Sequence, residues 1–294
     1  MNELPEVQRP LRGIVLLLLS FLFFSALDAT AKHLAQTFAM PLLVWARYAG
    51  HFLLMLIFLL PSMRSRLLVT NHPLAHVIRS LMLVGMTGLM VAALPLMPLA
   101  EATSMLFITP LFVVILAGPW LKEKIGLGRW LAALVGFSGA LIIARPGGSL
   151  SGVGALLMLG AAFCYSIYQI LTRQMSKTEN TLTMIFYSAL TGTVVMSLSL
   201  PWFLDGPQPT LFEALLLFFL GLAGGIGQYL MTSAFRHAPA SMLSPFMYVQ
   251  IVWATLLGWQ LFGQVPDGMS VLGMAIIVGS GLTIVLGERR NGTP

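Results

Sequence analysis

Residues 101–112 read "EATSMLFITPLF", and residues 239–250 read "PASMLSPFMYVQ". Both carry Ser-Met-Leu and a proline, and both open an apolar run after a very short link. The likeness extends outward. "GRWLAALVGFSGALII" (128–143) resembles "GMSVLGMAIIVGSGLTIV" (268–285), and the apolar runs starting at Gly13 and Gly152 correspond. The offset is roughly 140 residues, which divides the chain into two related halves, 1–146 and 147–294.

Composition says what kind of solvent these halves meet. The chain is 57% hydrophobic and 9% charged, against about 25% charged for a soluble domain. So few charges cannot cover a water-facing surface, so this is an integral membrane protein, with the lipid bilayer as its first partner. The net charge of +6 does not point to nucleic acid, because the basic residues fall in short links between apolar runs. The single cysteine, Cys164, excludes an internal disulfide and any CxxC motif. It sits in an apolar run and reads as a buried, inert thiol. Arg9 and Arg12, an apolar core and Ala29-Thr30-Ala31 have the outline of a signal peptide. The run from Ile14 to Leu27 is long for one, and everything downstream is equally apolar, so it reads as a first span.

A helix needs about 20 apolar residues to cross the hydrocarbon core. Punctuation by Pro, Gly and charge gives ten candidates, at 13–34, 41–60, 75–96, 101–120, 130–145, 152–173, 181–200, 211–235, 239–262 and 269–287. With the N-terminus inside, thirteen of the sixteen Lys and Arg fall on inside segments, Arg79 among them. Only Lys32 and Arg145 fall outside, and Arg47 lies within a span. That bias follows the positive-inside rule and predicts both termini in the cytoplasm. Five spans per half is an odd number, so the second half is inverted. The fold expectation is an all-α membrane protein of ten helices in two inverted five-helix repeats. Inverted repeats mark secondary transporters, with the site near the midplane between the halves.

Residues 23–34, "FFSALDATAKHL", put a carboxylate and an ammonium in the outer third of the first span. A charge at the bilayer centre costs about 2.5–3.5 kcal/mol on insertion scales and is normally partnered or functional. Arg47 lies two turns into the second span, at similar depth. Asp28, Lys32 and Arg47 therefore read as one network: a clamp between spans one and two, a gate or partner for a substrate's charged ends, or a site where Asp28 couples transport to protons, which a nearby arginine opposes. His51, mid-span, reads as a packing residue. His72 and His76 have i, i+4 spacing without a nearby carboxylate or cysteine, and read as a solvated loop and not a metal site.

Cavity candidates come from helical faces. Span six carries Tyr165, Tyr168, Gln169 and Thr172. Span nine carries Ser241, Ser244, Pro245 and Tyr248, and span eight carries Gly221, Gly224, Gly225 and Gln228. Span three carries Met82, Met86 and Met90, whose thioethers suit a deformable wall. Span four adds Ser104 and Phe107, near Pro110. The tyrosines and Gln169 combine flat apolar area with hydrogen-bonding tips, which suits a zwitterion with an apolar side chain. Ala132, Gly136 and Ala140 in span five, with Ala275 and Gly279 in span ten, read as a close-packed brace.

The five-plus-five spans and the repeated fourth helix resemble the drug/metabolite transporter superfamily, in its EamA branch. So do Arg47 in "PLLVWARY", "LKEK" after span four and "GFSGALIIARPG" in span five. The second half departs from it, because "QLFGQV" has no counterpart of Glu123. The resemblance implies a secondary transporter of the bacterial inner membrane, working as a monomer or homodimer without a cofactor. Among family members the chain looks most like exporters of aromatic and other neutral amino acids. The alternatives are a carrier of cations or nucleotide-linked compounds, a membrane enzyme and a structural membrane protein. The chain has no G-x-x-x-x-G-K-[ST] motif for ATP. The five histidines are too scattered for a catalytic cluster. Sparse intramembrane carboxylates favour weak or no ion coupling.

Overall fold

The computed structural model describes residues 10–63, 69–70, 72–121, 127–144, 152–175, 178–203, 207–237 and 243–290. Every apolar run named above is helical there, because backbone polar groups in hydrocarbon must be bonded within the segment. The helices are α1 (Pro10–Leu34), α2 (Met40–Met63), α3 (Pro73–Ala93), α4 (Leu99–Leu106), α5 (Thr109–Leu121), α6 (Leu127–Ala144), α7 (Gly152–Met175), α8 (Thr181–Ser199), α9 (Leu211–His237), α10 (Val249–Phe262) and α11 (Gly268–Arg290). No strand occurs among the described residues.

Local chemistry sets the ends. Pro73 opens α3, where its missing N–H costs nothing. Asn180 Oδ1 accepts from the Leu182 amide at 2.8 Å and starts α8. Thr210 and Glu213 form a reciprocal box at the head of α9, with the Thr210 amide donating to Glu213 Oε2 at 2.8 Å. Gly263, at φ +65°, stops α10 in the left-handed conformation that glycine tolerates.

Six helices are long and apolar enough to cross a membrane: α1, α2, α3, α7, α8 and α9. Four shorter apolar helical segments lie at Leu99–Val113, Leu134–Ile143, Phe246–Phe262 and Gly268–Ser280. The expected fourth span is broken. α4 ends at Leu106, Phe107 and Ile108 turn with tightened bonds to Ser104 and Met105, and α5 resumes at Thr109 beside Pro110. The expected ninth span has its irregularity at the matching place, a 3₁₀ turn over Ser244–Tyr248 ahead of α10. The two irregular points meet, Phe107 and Tyr248 having ring centroids 5.0 Å apart.

α1 packs chiefly on α9 and α10, α3 on α7 and α8, α2 on α8 and α9, and α6 on α11. One apolar core, from Leu27 through Met105 to Ile277, runs through these contacts. The outward faces are also apolar: Leu156 is 70% and Phe58 71% exposed, as lipid-facing side chains are. Small residues set the closest approaches. A Cβ added at Gly221 would lie 2.4 Å from the Gly50 Cα, so α2 and α9 touch backbone to backbone. Between α6 and α11 the close contact is Gly139 against Gly273, with Gly136 on Ser280. This corrects the brace expected at Ala275 and Gly279: both are exposed, and the packed face of α11 is Gly273, Met274, Ile277 and Ser280. Ala132's side chain lies outside the described residues.

Candidate functional site

α7 carries its expected face intact. Tyr165 and Tyr168 stand one turn apart and stack, with centroids 5.7 Å apart and planes 10° from parallel. Tyr165 and Gln169 are hydrogen-bonded through their side chains. Thr172, a further turn along, accepts from Arg79 Nη1 at 3.2 Å.

Arg79 organises that end of the bundle. It is 1% exposed, two turns inside α3 and not in a link as the charge pattern suggested. Its guanidinium reaches from α3 to α7 and α8. Nη2 donates to the Met184 carbonyl and to Ser188 Oγ, the latter at 2.9 Å. The Tyr168 ring lies over it with its centroid 5.0 Å away, a cation–π contact. A guanidinium buried so deeply needs partners for its donors; it finds them on α7 and α8, while Nε makes no hydrogen bond among the described residues. His76 is also corrected. It is fully buried, 3.4 Å from Glu179 Oε2 and stacked on Tyr187 at 4.5 Å, whereas a solvated loop was expected. Glu179 accepts from Thr70 Oγ1 at 2.8 Å as well. His72 is exposed.

The expected three-charge network is dispersed. Lys32 Nζ donates to the carbonyls of Leu94 and Met97 at 2.6 and 2.5 Å, and lies 5.5 Å from the Phe262 ring centroid. It thereby satisfies carbonyls at the irregular exit of α3. Asp28 is buried, and among the described residues it makes no hydrogen bond and no ion pair with Lys32 or Arg47. Arg47, half-buried on α2, nevertheless acts electrostatically on Asp28, Tyr48, His51 and Tyr165. Its stem lies near Gly224 of α9. Tyr48 is held beside it, its hydroxyl bonded to Thr87 Oγ1 at 3.0 Å and its ring against Gly192 of α8.

The other candidates divide by position. Met86 and Met90 are buried in the main core. Ser104 is buried and donates to the Ala100 carbonyl at 2.7 Å. Phe107 and Tyr248 are the pair at the helix breaks. Gln228 is half-buried on α9. The side chains of Ser241, Ser244 and Pro245 lie outside the described residues. Gly224 and Gly225 face Leu27 and Leu54, and Gly225 also faces His51, so the α9 glycines serve packing against α1 and α2.

The model of the EamA-like transporter family matches the chain twice, over residues 11–145 and 152–286. The chain belongs to the EamA-like transporter family. It is 32% identical to a riboflavin transporter of Vibrio cholerae over 92% of this chain and 91% of that protein. It is 31% identical to an S-adenosylmethionine uptake transporter of Rickettsia bellii over 95% and 94%. A crystal structure with 22% identity covers 97% of this chain and 98% of its own at a TM-score of 0.64, a likeness of fold. With bacterial relatives and six helices of spanning length, this EamA-like protein is a multi-pass transporter of the bacterial inner membrane, and not an enzyme.

Arg79 and Glu101 are buried charged residues of the EamA-like chain to which sequence reading gave no site role. Glu101 is 3% exposed at the start of α4, is hydrogen-bonded to Ser270 of α11, and keeps Oε2 unbonded. A signal existed for Arg79. It lies six residues after Pro73, and "PLAHVIRSLMLV" has the apolar spacing of a span that has already begun.

Proposed function

We propose that the protein is a secondary carrier for a small metabolite bearing a flat ring, working by alternating access. The aromatic wall carries this reading. Tyr165 stacks on Tyr168 in the second half while Arg47 of the first half acts on Tyr165, and Phe107 meets Tyr248 across the halves. Flat rings recognise flat rings with little loss of side-chain freedom. The Vibrio and Rickettsia relatives are named for riboflavin and S-adenosylmethionine, both ring compounds. Their names support ring-bearing metabolites over the amino-acid export that sequence resemblance suggested. Aromatic amino acids remain the second reading, favoured by the same tyrosine pair. Ten crossings in two inverted halves, 1–146 and 147–294, with both termini inside, complete the reading. The two family matches and the packing pairs support it, since exchanging each helix for its counterpart turns α1 on α9 into α7 on α3.

The test is solute counterflow in proteoliposomes without an ion gradient. Vesicles loaded with unlabelled riboflavin, S-adenosylmethionine or phenylalanine are offered the labelled compound. Accumulation of a nucleoside-like or flavin compound that exceeds that of phenylalanine is expected. Accumulation of phenylalanine alone would favour the amino-acid reading, and accumulation of none by folded protein would sink the ring-metabolite reading.

A further inference from the structure

We propose that Glu101 is a proton-binding site, and that the Lys32 end of the protein is sealed with the Glu101 carboxyl protonated. The inference rests on the carrier reading above and adds what governs the opening of one end.

Glu101 stands in the first turn of α4, just after the chain leaves α3, and is 3% exposed. Its carboxyl is hydrogen-bonded to Ser270 of α11, itself buried, and Oε2 has no partner. An ionised carboxylate is an acceptor through both oxygens. One bare oxygen sealed from water is costly for the anion and far cheaper for the neutral acid. A cation could rescue the anion, but none is in reach. Lys32 of α1 directs its ammonium to the Leu94 and Met97 carbonyls at 2.6 and 2.5 Å, and among the described residues no ion pair joins it to Glu101 within 4.0 Å. Asp28, one turn away from Lys32 on α1, and Asp267, whose Oδ1 accepts from the Ser270 amide at 2.8 Å, bring carboxyls and not cations. Like charges disfavour one another. At this end α6, α7 and α10 bring no ionisable side chain among the described residues.

The bonds around Glu101 join the two halves. The Leu99 amide, two residues earlier, donates to Gln264 Oε1 at 3.3 Å, and the Lys32 ammonium lies 5.5 Å from the Phe262 ring centroid. Parting α4 from α11 breaks the Ser270 bond and brings water to the carboxyl, which then ionises at neutral pH as a hydrated glutamate does. On closing, a proton is taken up before the oxygen is buried again. The closed form binds one proton more than the open form, so acid favours closure and a rise in pH favours opening. The proton enters and leaves at the same end, so the site times the opening without coupling cargo to a proton gradient. The repeat confines this device to one end: counted from the shared Ser-Met-Leu, Ala238 stands in the second half where Glu101 stands in the first.

The test uses the full chain in proteoliposomes, with Cys164→Ser and a Met97→Cys probe. Labelling by a membrane-impermeant maleimide is followed from about pH 5 to about pH 8. Each rate is divided by that of the same protein carrying Glu101→Gln, which keeps a neutral side chain of the same shape and cancels the titration of the thiol itself. The ratio is expected to rise about tenfold across that range. The ratio of the Met97→Cys rate to that of a Ser188→Cys probe at the Arg79 end should rise likewise; it leaves Glu101 in place and decides the matter should Glu101→Gln not fold. Flat ratios, or a Met97-to-Ser188 ratio that rises equally in Glu101→Gln, overturn the proton site and leave the carrier, read by counterflow, intact. Rising ratios in protein that accumulates no ring compound support the proton site and retire the carrier reading.

Discussion

The two ends of α3 are held in different ways. At the Arg79 end one guanidinium crosses from the first half to Thr172, Met184 and Ser188 of the second, beneath the Tyr168 ring. His76 and Glu179 add a 3.4 Å side-chain contact across the same seam. At the Lys32 end the cation spends its two hydrogen bonds within its own half, on Leu94 and Met97. What crosses the seam there is the Leu99 amide donating to Gln264 Oε1 at 3.3 Å, the Glu101–Ser270 bond and the Lys32 ammonium 5.5 Å from the Phe262 ring centroid. Arg79 and Leu94 lie on one helical run, so at about 1.5 Å per residue the two layers stand roughly 22 Å apart. The difference teaches that charge count does not measure closure; where the bonds lead does. On the carrier reading proposed above, the Arg79 end would be the tighter seal between the halves and the Lys32 end the easier one to part.

The largest effect is expected from Arg79→Met. It removes the guanidinium hydrogen bonds that cross the seam and leaves buried acceptors on α7 and α8. Thermal unfolding in detergent should reveal a loss of about 3 kcal/mol. In a Cys164→Ser background, a cysteine at Ser188 should react with a membrane-impermeant maleimide about tenfold faster than with Arg79 present. An unchanged labelling rate would break the comparison. Lys32→Met is expected to cost less, about 1–2 kcal/mol, because it strips two carbonyls but no hydrogen bond between halves. It should leave labelling at Ser188→Cys unchanged; acceleration there would mean that the two ends are not separate. Gln264→Ala should be the mildest, about 0.5–1 kcal/mol, yet it should raise labelling of a Met97→Cys probe. No rise would show that Gln264 does not help to hold that end shut.

Local features were legible in the sequence and tertiary ones were not. The shared face of Tyr165 and Tyr168 follows from i, i+3 spacing on one helix, whereas the irregular points near Phe107 and Ser244 interrupt runs that read as unbroken spans, although both fall at the repeated Ser-Met-Leu with its proline. Lys32 was misassigned to Asp28 because its true partners are backbone carbonyls, which have no residue identity to read. Arg79 looked like a link residue because "HPLAHVIR" mixes polar and apolar side chains. Its partners lie on helices about 90 and 105 residues further along the chain, a distance no periodicity spans. The family, by contrast, was carried by whole-chain rhythm and not by any single contact. The cargo was not, since a few side chains in a common frame decide it.

The meeting of Gly50 and Gly221 has a mechanical consequence. With no side chain between α2 and α9 at that point, there is no rotamer to change and nothing to repack when one helix tilts on the other. On the alternating-access reading proposed above, such a contact would serve as a fulcrum: motion that lifts one end of the second half away from the first would press the opposite end closer, and the opening of one seal and the closing of the other would become a single movement.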